Sequence, residues 1–181
     1  TPFEGYQPED FAKNMKWMKD LPQNFSIIKQ GITFHGSPMV RDMPDFYYGD
    51  YVPKPMYPNR GLMTEKGFNL TVDCVIAMKE VLGDEVGLAL DCGPGMAVSD
   101  TLKLAQALEP YNLMWMEDTI TGDYTPYVQA DLYREVTQAT STPIHTGEQI
   151  YLRQNFIDLI EKRAVDIIGP APCDVGGIAE L

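Results

Sequence analysis

The apolar positions along the chain follow two alternating rhythms. Short, almost continuous apolar runs occur at FSIIKQGI (25–32), VGLALD (86–91), LMWMED (113–118), PIHTGE (143–148) and VDIIGP (165–170). Runs of this length, bounded by turn residues, predict buried strands. Between them the apolar residues recur at helical spacing. Phe11, Met15 and Met18 mark a helix over 10–20; Phe68, Val72, Val75 and Ile76 mark another from Thr64 to Leu82, closed by Gly83. Further helices are expected at 99–108, 130–139 and 152–163, and CDVGGIAEL reads as a loop entering one more. Strand–helix alternation predicts an α/β fold with a parallel sheet covered on both faces, so that LALD and LMWM can be apolar almost throughout. The pattern fits either an open doubly wound sheet or a segment of a TIM-type (β/α) barrel.

Residues 33–63 break the rhythm. Prolines at 38, 44, 53, 55 and 58 exclude a regular helix or a central strand. A long irregular loop is expected there, of the kind that serves as a lid or binding loop. Tyr47, Tyr48, Tyr51 and Tyr57 are placed either to close over a ligand or to cover apolar surface. The 181 residues read as a single domain, yet a complete barrel takes about 250. The barrel alternative therefore implies a partial barrel, and a start at Thr1 without Met is in keeping with a fragment. Unpaired sheet edges would then call for missing chain or partner subunits, and a homo-oligomer is expected.

Charge narrows the partners. Lys and Arg number 14 against 26 Asp and Glu, a net charge of −12. That balance argues against nucleic acid and against an anionic membrane surface. No window approaches the roughly 18 apolar residues of a membrane span, and TPFEGYQPEDF lacks the basic and apolar blocks of a signal peptide. Three cysteines without CxxC spacing fit a reducing, cytoplasmic compartment.

The candidate chemistry lies at strand ends, the reactive face in both architectures. Asp91, Glu117 and Glu148 each finish a predicted strand, 26 and 31 residues apart, about one strand–helix unit each time. Three carboxylates at equal depth on neighbouring strands repel unless a cation lies between them. Hard oxygen ligands that leave positions open suit Mg²⁺. Lys29 ends the apolar run FSII and projects toward the same mouth, where it can act as an acid or base or hold a substrate carboxylate. Strand alternation turns Asp118 toward a helix or solvent and His145 toward the helices. His35 is a candidate substrate contact at the start of the irregular stretch. Cys92 and Cys173 read as ordinary small residues near the mouth, and Trp115 as barrel filling.

Taken in order, IIKQG, LALDCG, WMED, TPIHTGEQ and AVDIIGPAPCDVGGIAEL resemble the enolase superfamily, in particular its mandelate racemase and muconate lactonizing enzyme branch. The resemblance covers most of residues 10–181, and TGEQIYLRQNF is most similar to the acid-sugar dehydratases of that branch. It implies an α+β capping domain followed by a modified (β/α)7β barrel, with this chain spanning roughly the second to the sixth barrel strand. The capping domain and the last strands, which bring a catalytic His, would be absent. On the same pattern Asp91, Glu117 and Glu148 are the implied Mg²⁺ ligands and Lys29 the implied catalytic residue. The implied reaction removes a proton α to a carboxylate through an enediolate. Dehydration of a sugar acid is the leading outcome, racemisation or epimerisation the alternative.

The chain departs from the family pattern in three places. Gln30 and Gly31 follow Lys29 where racemases carry a second lysine, Gly93 stands where Asn or His is common, and Ala171 replaces the Asp that partners the distal His. Together they motivate a second reading, a catalytically silent relative that binds or scaffolds. A third, from the open-sheet architecture, is a phosphotransfer or phosphatase domain with a strand-end Asp as nucleophile.

Overall fold

A computed structural model describes residues 4–33, 37–48, 62–120 and 128–181. Five parallel strands, β1 (Ile27–Gly31), β2 (Gly87–Asp91), β3 (Trp115–Glu117), β4 (Ile144–Thr146) and β5 (Ile167–Ile168), pair in sequence order. The order never reverses, so the sheet has no switch point of the doubly wound kind; it is wound as a barrel segment. The third sequence reading loses its architecture.

Helices fill the connections: α1 (Pro8–Lys19), α2 (Pro38–Asp42), α3 (Glu65–Leu82), α4 (Val98–Leu108), α5 (Ala130–Thr137), α6 (Ile157–Glu161) and α7 (Pro172–Val175). The first runs from Pro8 at its start, with Glu9 and Asp10 in the first turn and Lys16 and Lys19 in the last, a charge order that complements the helix dipole. Its Phe11 and Met15 are buried in the same apolar core as Cys74, Val75 and Met78 of α3, against which α1 packs. Lys19 Nζ donates to the carbonyls of Val81 and Leu82 at 3.0 and 3.1 Å, tying the two helix ends together.

Thr64 caps α3, its hydroxyl accepting the Gly67 N–H at 2.9 Å, and Gly83 ends it at φ +66°. Gly67 itself answers a close approach: a Cβ there would stand 2.5 Å from the Phe46 carbonyl oxygen.

Three expectations need correction. The prolines of 33–63 do not exclude helix, because Pro38 opens the short α2, where its missing N–H goes unneeded, behind Ser37 as N-cap. The helix expected over 152–163 divides into a 3-10 turn (Arg153–Phe156) and five residues of α6. CDVGGIAEL gives α7 and a 3-10 turn over Ile178–Glu180. Tyr47 is buried and donates its hydroxyl to the Thr33 carbonyl at 3.0 Å, whereas Tyr48 is exposed. His35, Tyr51 and Tyr57 lie outside the described residues.

Register decides what faces where. Ile28, Leu88, Leu90, Met116 and Ile144 point to the helices and form the core beneath the sheet. The alternate rows, Lys29–Ala89–Trp115 and Gly31–Asp91–Glu117–His145, face the other way.

Candidate active site

Asp91 and Glu117 are exact neighbours in the second of these rows, at the carboxyl ends of β2 and β3. Lys29, one row lower on β1, bridges them: Nζ lies 2.7 Å from Glu117 Oε1 and 3.2 Å from Asp91 Oδ2. Burial alone would lower the Lys29 pKa, but the hydrogen bond to Glu117 and the charges of Asp91 and Glu117 outweigh it and raise the value. Lys29 is therefore an ammonium here. Glu117, only 3% exposed, also accepts the Trp115 Nε1–H on Oε2 at 2.8 Å. Trp115 is more than barrel filling. Asp91 Oδ1 accepts the Gly93 N–H at 3.2 Å.

The third expected acid sits differently. β4 stops at Thr146, and Glu148 follows in a turn through Gly147 at φ +141°. Glu148 is thus not in strand register with Asp91 and Glu117, yet the turn returns it to Glu117. Among the described residues, Glu117, Asp118 and Glu148 each offer a carboxylate oxygen within 4.8 Å of the other two. Asp91 joins the group through Lys29.

Asp118 does turn toward the helix side, as alternation predicts, but it is buried and not at solvent (2% exposed, φ +49°). Its Oδ1 accepts the Thr146 hydroxyl at 2.6 Å and the Gly147 N–H at 3.4 Å, and Thr146 in turn accepts from Tyr133 of α5 at 3.2 Å. Oδ2 has no hydrogen-bond partner among the described residues. Burial pushes the Asp118 pKa up to about 7, with the Glu148 and Glu117 charges adding to it against the two hydrogen bonds. A buried carboxylate oxygen without a donor, beside two further carboxylates, marks a set with more negative charge than the Lys29 ammonium alone balances. All the donors are hard oxygens, so the group fits a divalent cation.

His145 corrects the parity argument. Its register partner is Glu117, its ring lies 5.6 Å from that of Trp115, and Nδ1 is 3.7 Å from Glu117 Oε2. It belongs to the rim and does not pack toward the helices. Burial lowers its pKa and the Lys29 ammonium adds to this, against the pull of Glu117 and Asp91, so the imidazole is neutral at pH 7. Glu117 and Asp118 are buried, and Asp91 and Glu148 are partly exposed; a cavity of about 570 Å³ by α5 and α6, lined by Gln129, Asp131, Asn155, Asp158 and Lys162, includes none of them.

The profile of the "Enolase C-terminal domain-like" family matches residues 56–181. A similar curated protein is the D-xylonate dehydratase of Haloferax volcanii, 38% identical over 109 residues, which are 60% of this chain and 25% of that protein. The arabinonate dehydratase of Saccharolobus solfataricus is 28% identical over 116 residues, 64% of this chain and 30% of that one. Among solved structures, a mandelate racemase/muconate lactonizing enzyme-like protein from Rubrobacter xylanophilus superimposes with a TM-score of 0.75 at 29% identity, over 98% of this chain and 40% of that one. The chain thus spans less than half the length of these relatives. With a sequential parallel sheet, rim carboxylates and a family profile covering more than half its length, the chain belongs to the enolase C-terminal domain-like family, on the mandelate racemase/muconate lactonizing enzyme branch of the enolase superfamily.

Proposed function

We propose that this chain carries the metal-binding half of an enzyme that abstracts a proton α to a carboxylate, and that the full reaction dehydrates a sugar acid. The observation that carries the reading is the Lys29 ammonium lodged between Asp91 and Glu117, with Asp118 and Glu148 adjoining. Asp91, Glu117 and Glu148 are the proposed ligands of a Mg²⁺ ion, and Asp118 supports them from beneath through Thr146 and Gly147. When bound, Mg²⁺ would supply positive charge both to these carboxylates and to an enediolate forming on the substrate.

Lys29 Nζ is the group placed to move the proton. It is held as a cation by Asp91 and Glu117 and becomes a base as their hold on it weakens. Loss of the α-proton and then of a β-hydroxyl gives an enol that settles to a 2-oxo acid, with one water released. The names of the relatives above favour dehydration over racemisation.

In this reading the chain maps onto the second to sixth strands of the barrel. The protein acts on a small carboxylic acid, in the cytoplasm, as a homo-oligomer; its acidic surface suits neither nucleic acid nor anionic lipid. Among the described residues no helix is long and apolar enough to cross a membrane. Calorimetric titration with Mg²⁺ tests the site: uptake by the wild-type chain and none by Glu148→Gln is expected. Unchanged uptake by that variant, or none by the wild type, removes the assignment. Formation of a 2-oxo acid from a panel of sugar acids, abolished in Lys29→Ala, tests the reaction and separates it from a silent binding relative.

A further inference from the structure

Glu117 has two differently occupied oxygens. Oε1 accepts from Lys29 at 2.7 Å and faces Asp91 across that lysine, whereas Oε2 accepts the Trp115 N–H at 2.8 Å. His145 stands on the Oε2 side, 8% exposed, with its ring tilted 31° to that of Trp115. Its Nδ1 is buried, has no hydrogen-bond partner among the described residues, and lies 3.7 Å from Oε2. The fold keeps room for this ring. Gly169, just beyond β5, lies against it, and a Cβ there would come within 2.2 Å of His145 Nε2. A buried nitrogen with no partner carries a desolvation cost, and it is retained here beside the one carboxylate oxygen that does not touch the lysine.

We propose that His145 is a positioning residue for Glu117: together with Trp115 it holds Oε2, fixing the carboxylate plane so that Oε1 stays turned toward Lys29 and Asp91, where it would be available to a cation. The inference rests on Glu117 being a cation ligand. At 3.7 Å the contact is a charge–dipole interaction and not a hydrogen bond; Trp115 makes the bond proper and His145 biases its geometry. Groups that orient metal ligands from behind in this way typically change metal affinity 10–100-fold when removed.

The test is Mg²⁺ titration of the full chain by calorimetry, with urea midpoints measured alongside. His145→Phe keeps an aromatic ring against Trp115 but loses the polar Nδ1, and is expected to weaken Mg²⁺ binding about tenfold. His145→Asn places an amide N–H close to the position of Nδ1 and is expected to restore most of the affinity. Gly169→Ala, which displaces the ring, is expected to weaken binding as His145→Phe does. Wild-type affinity in His145→Phe overturns the inference, and so does equal weakening in His145→Phe and His145→Asn, which marks a packing role. Failure of the wild-type chain to bind Mg²⁺ at all is a different result: it removes Glu117 as a ligand and the positioning role with it.

Discussion

The two ends of the sheet are built from the same kind of unit and are finished very differently. Around β1 and β2 the strands are five residues long, α3 runs for 18, and Met15, Met78, Leu82, Leu88 and Leu90 are fully buried. Around β4 and β5 the strands have three and two residues, α6 has five, and Ile157, Ile160 and Ile178 are 49%, 60% and 83% exposed. The sequence rhythm is equally apolar in both places. What differs is the supply of neighbours: α1 and α3 cover the first end, whereas nothing among the described residues covers the apolar edge of the second. Element length here follows packing more than propensity, because short helices and strands draw their stability from what they pack on.

The largest expected effect tests that contrast directly. Leu88→Ala empties a fully buried position and should cost about 2–5 kcal/mol in urea unfolding. Ile160→Ala, at a site 60% exposed, should stay within about 0.5 kcal/mol. Equal losses would show that the second end is as well packed as the first, and the comparison would fail.

A pH experiment sharpens the same point. Cys74, on α3, has its thiol pushed up to about 12 by burial, with the charges of Asp73, Glu9 and Asp10 adding to it. The folded state holds that proton where the unfolded chain releases it, so this contribution is fully present below pH 9 and is lost as pH rises toward 12. The slope is at most about 1.4 kcal/mol per pH unit. In the same window iodoacetamide should label the exposed Cys173 readily and leave Cys74 unmodified until the first end unfolds.

The same division explains what could be read in advance. The α3 boundaries, the five strands and the register neighbours Asp91 and Glu117 were legible because each sits in a regular element whose period carries the information. Glu148 lies near Glu117, but by way of a turn and not a strand. Counting alternation backward from it misassigned His145, since Gly147 at φ +141° breaks the period between them. Asp118 keeps the parity that alternation predicts, but its bond to Thr146 is a contact between strands that no spacing within one strand encodes. Gly147 and the adjacent Gly169, whose backbone would lie 3.1 Å from a Cβ on Gly147, were the available clue: glycine at a strand end warns that the pleat does not continue.

The smallest expected effect lies on the seam between the two ends. The Tyr133 hydroxyl accepts the Ile120 N–H at 3.4 Å and donates to Thr146 at 3.2 Å, so α5 reaches the Asp118 brace through one oxygen. Tyr133→Phe preserves the buried ring and removes only that oxygen. Two neutral hydrogen bonds are removed, each contributing about 1 kcal/mol, and the loss in urea unfolding should be about 1–2 kcal/mol. If the brace holds the 146–148 turn, Tyr133→Phe should also speed amide exchange at Gly147 while leaving exchange in α3 unchanged, since α3 packs at the far end of the sheet. Uniform acceleration in both places would mean that the seam does not divide the molecule and that the two ends unfold as one unit.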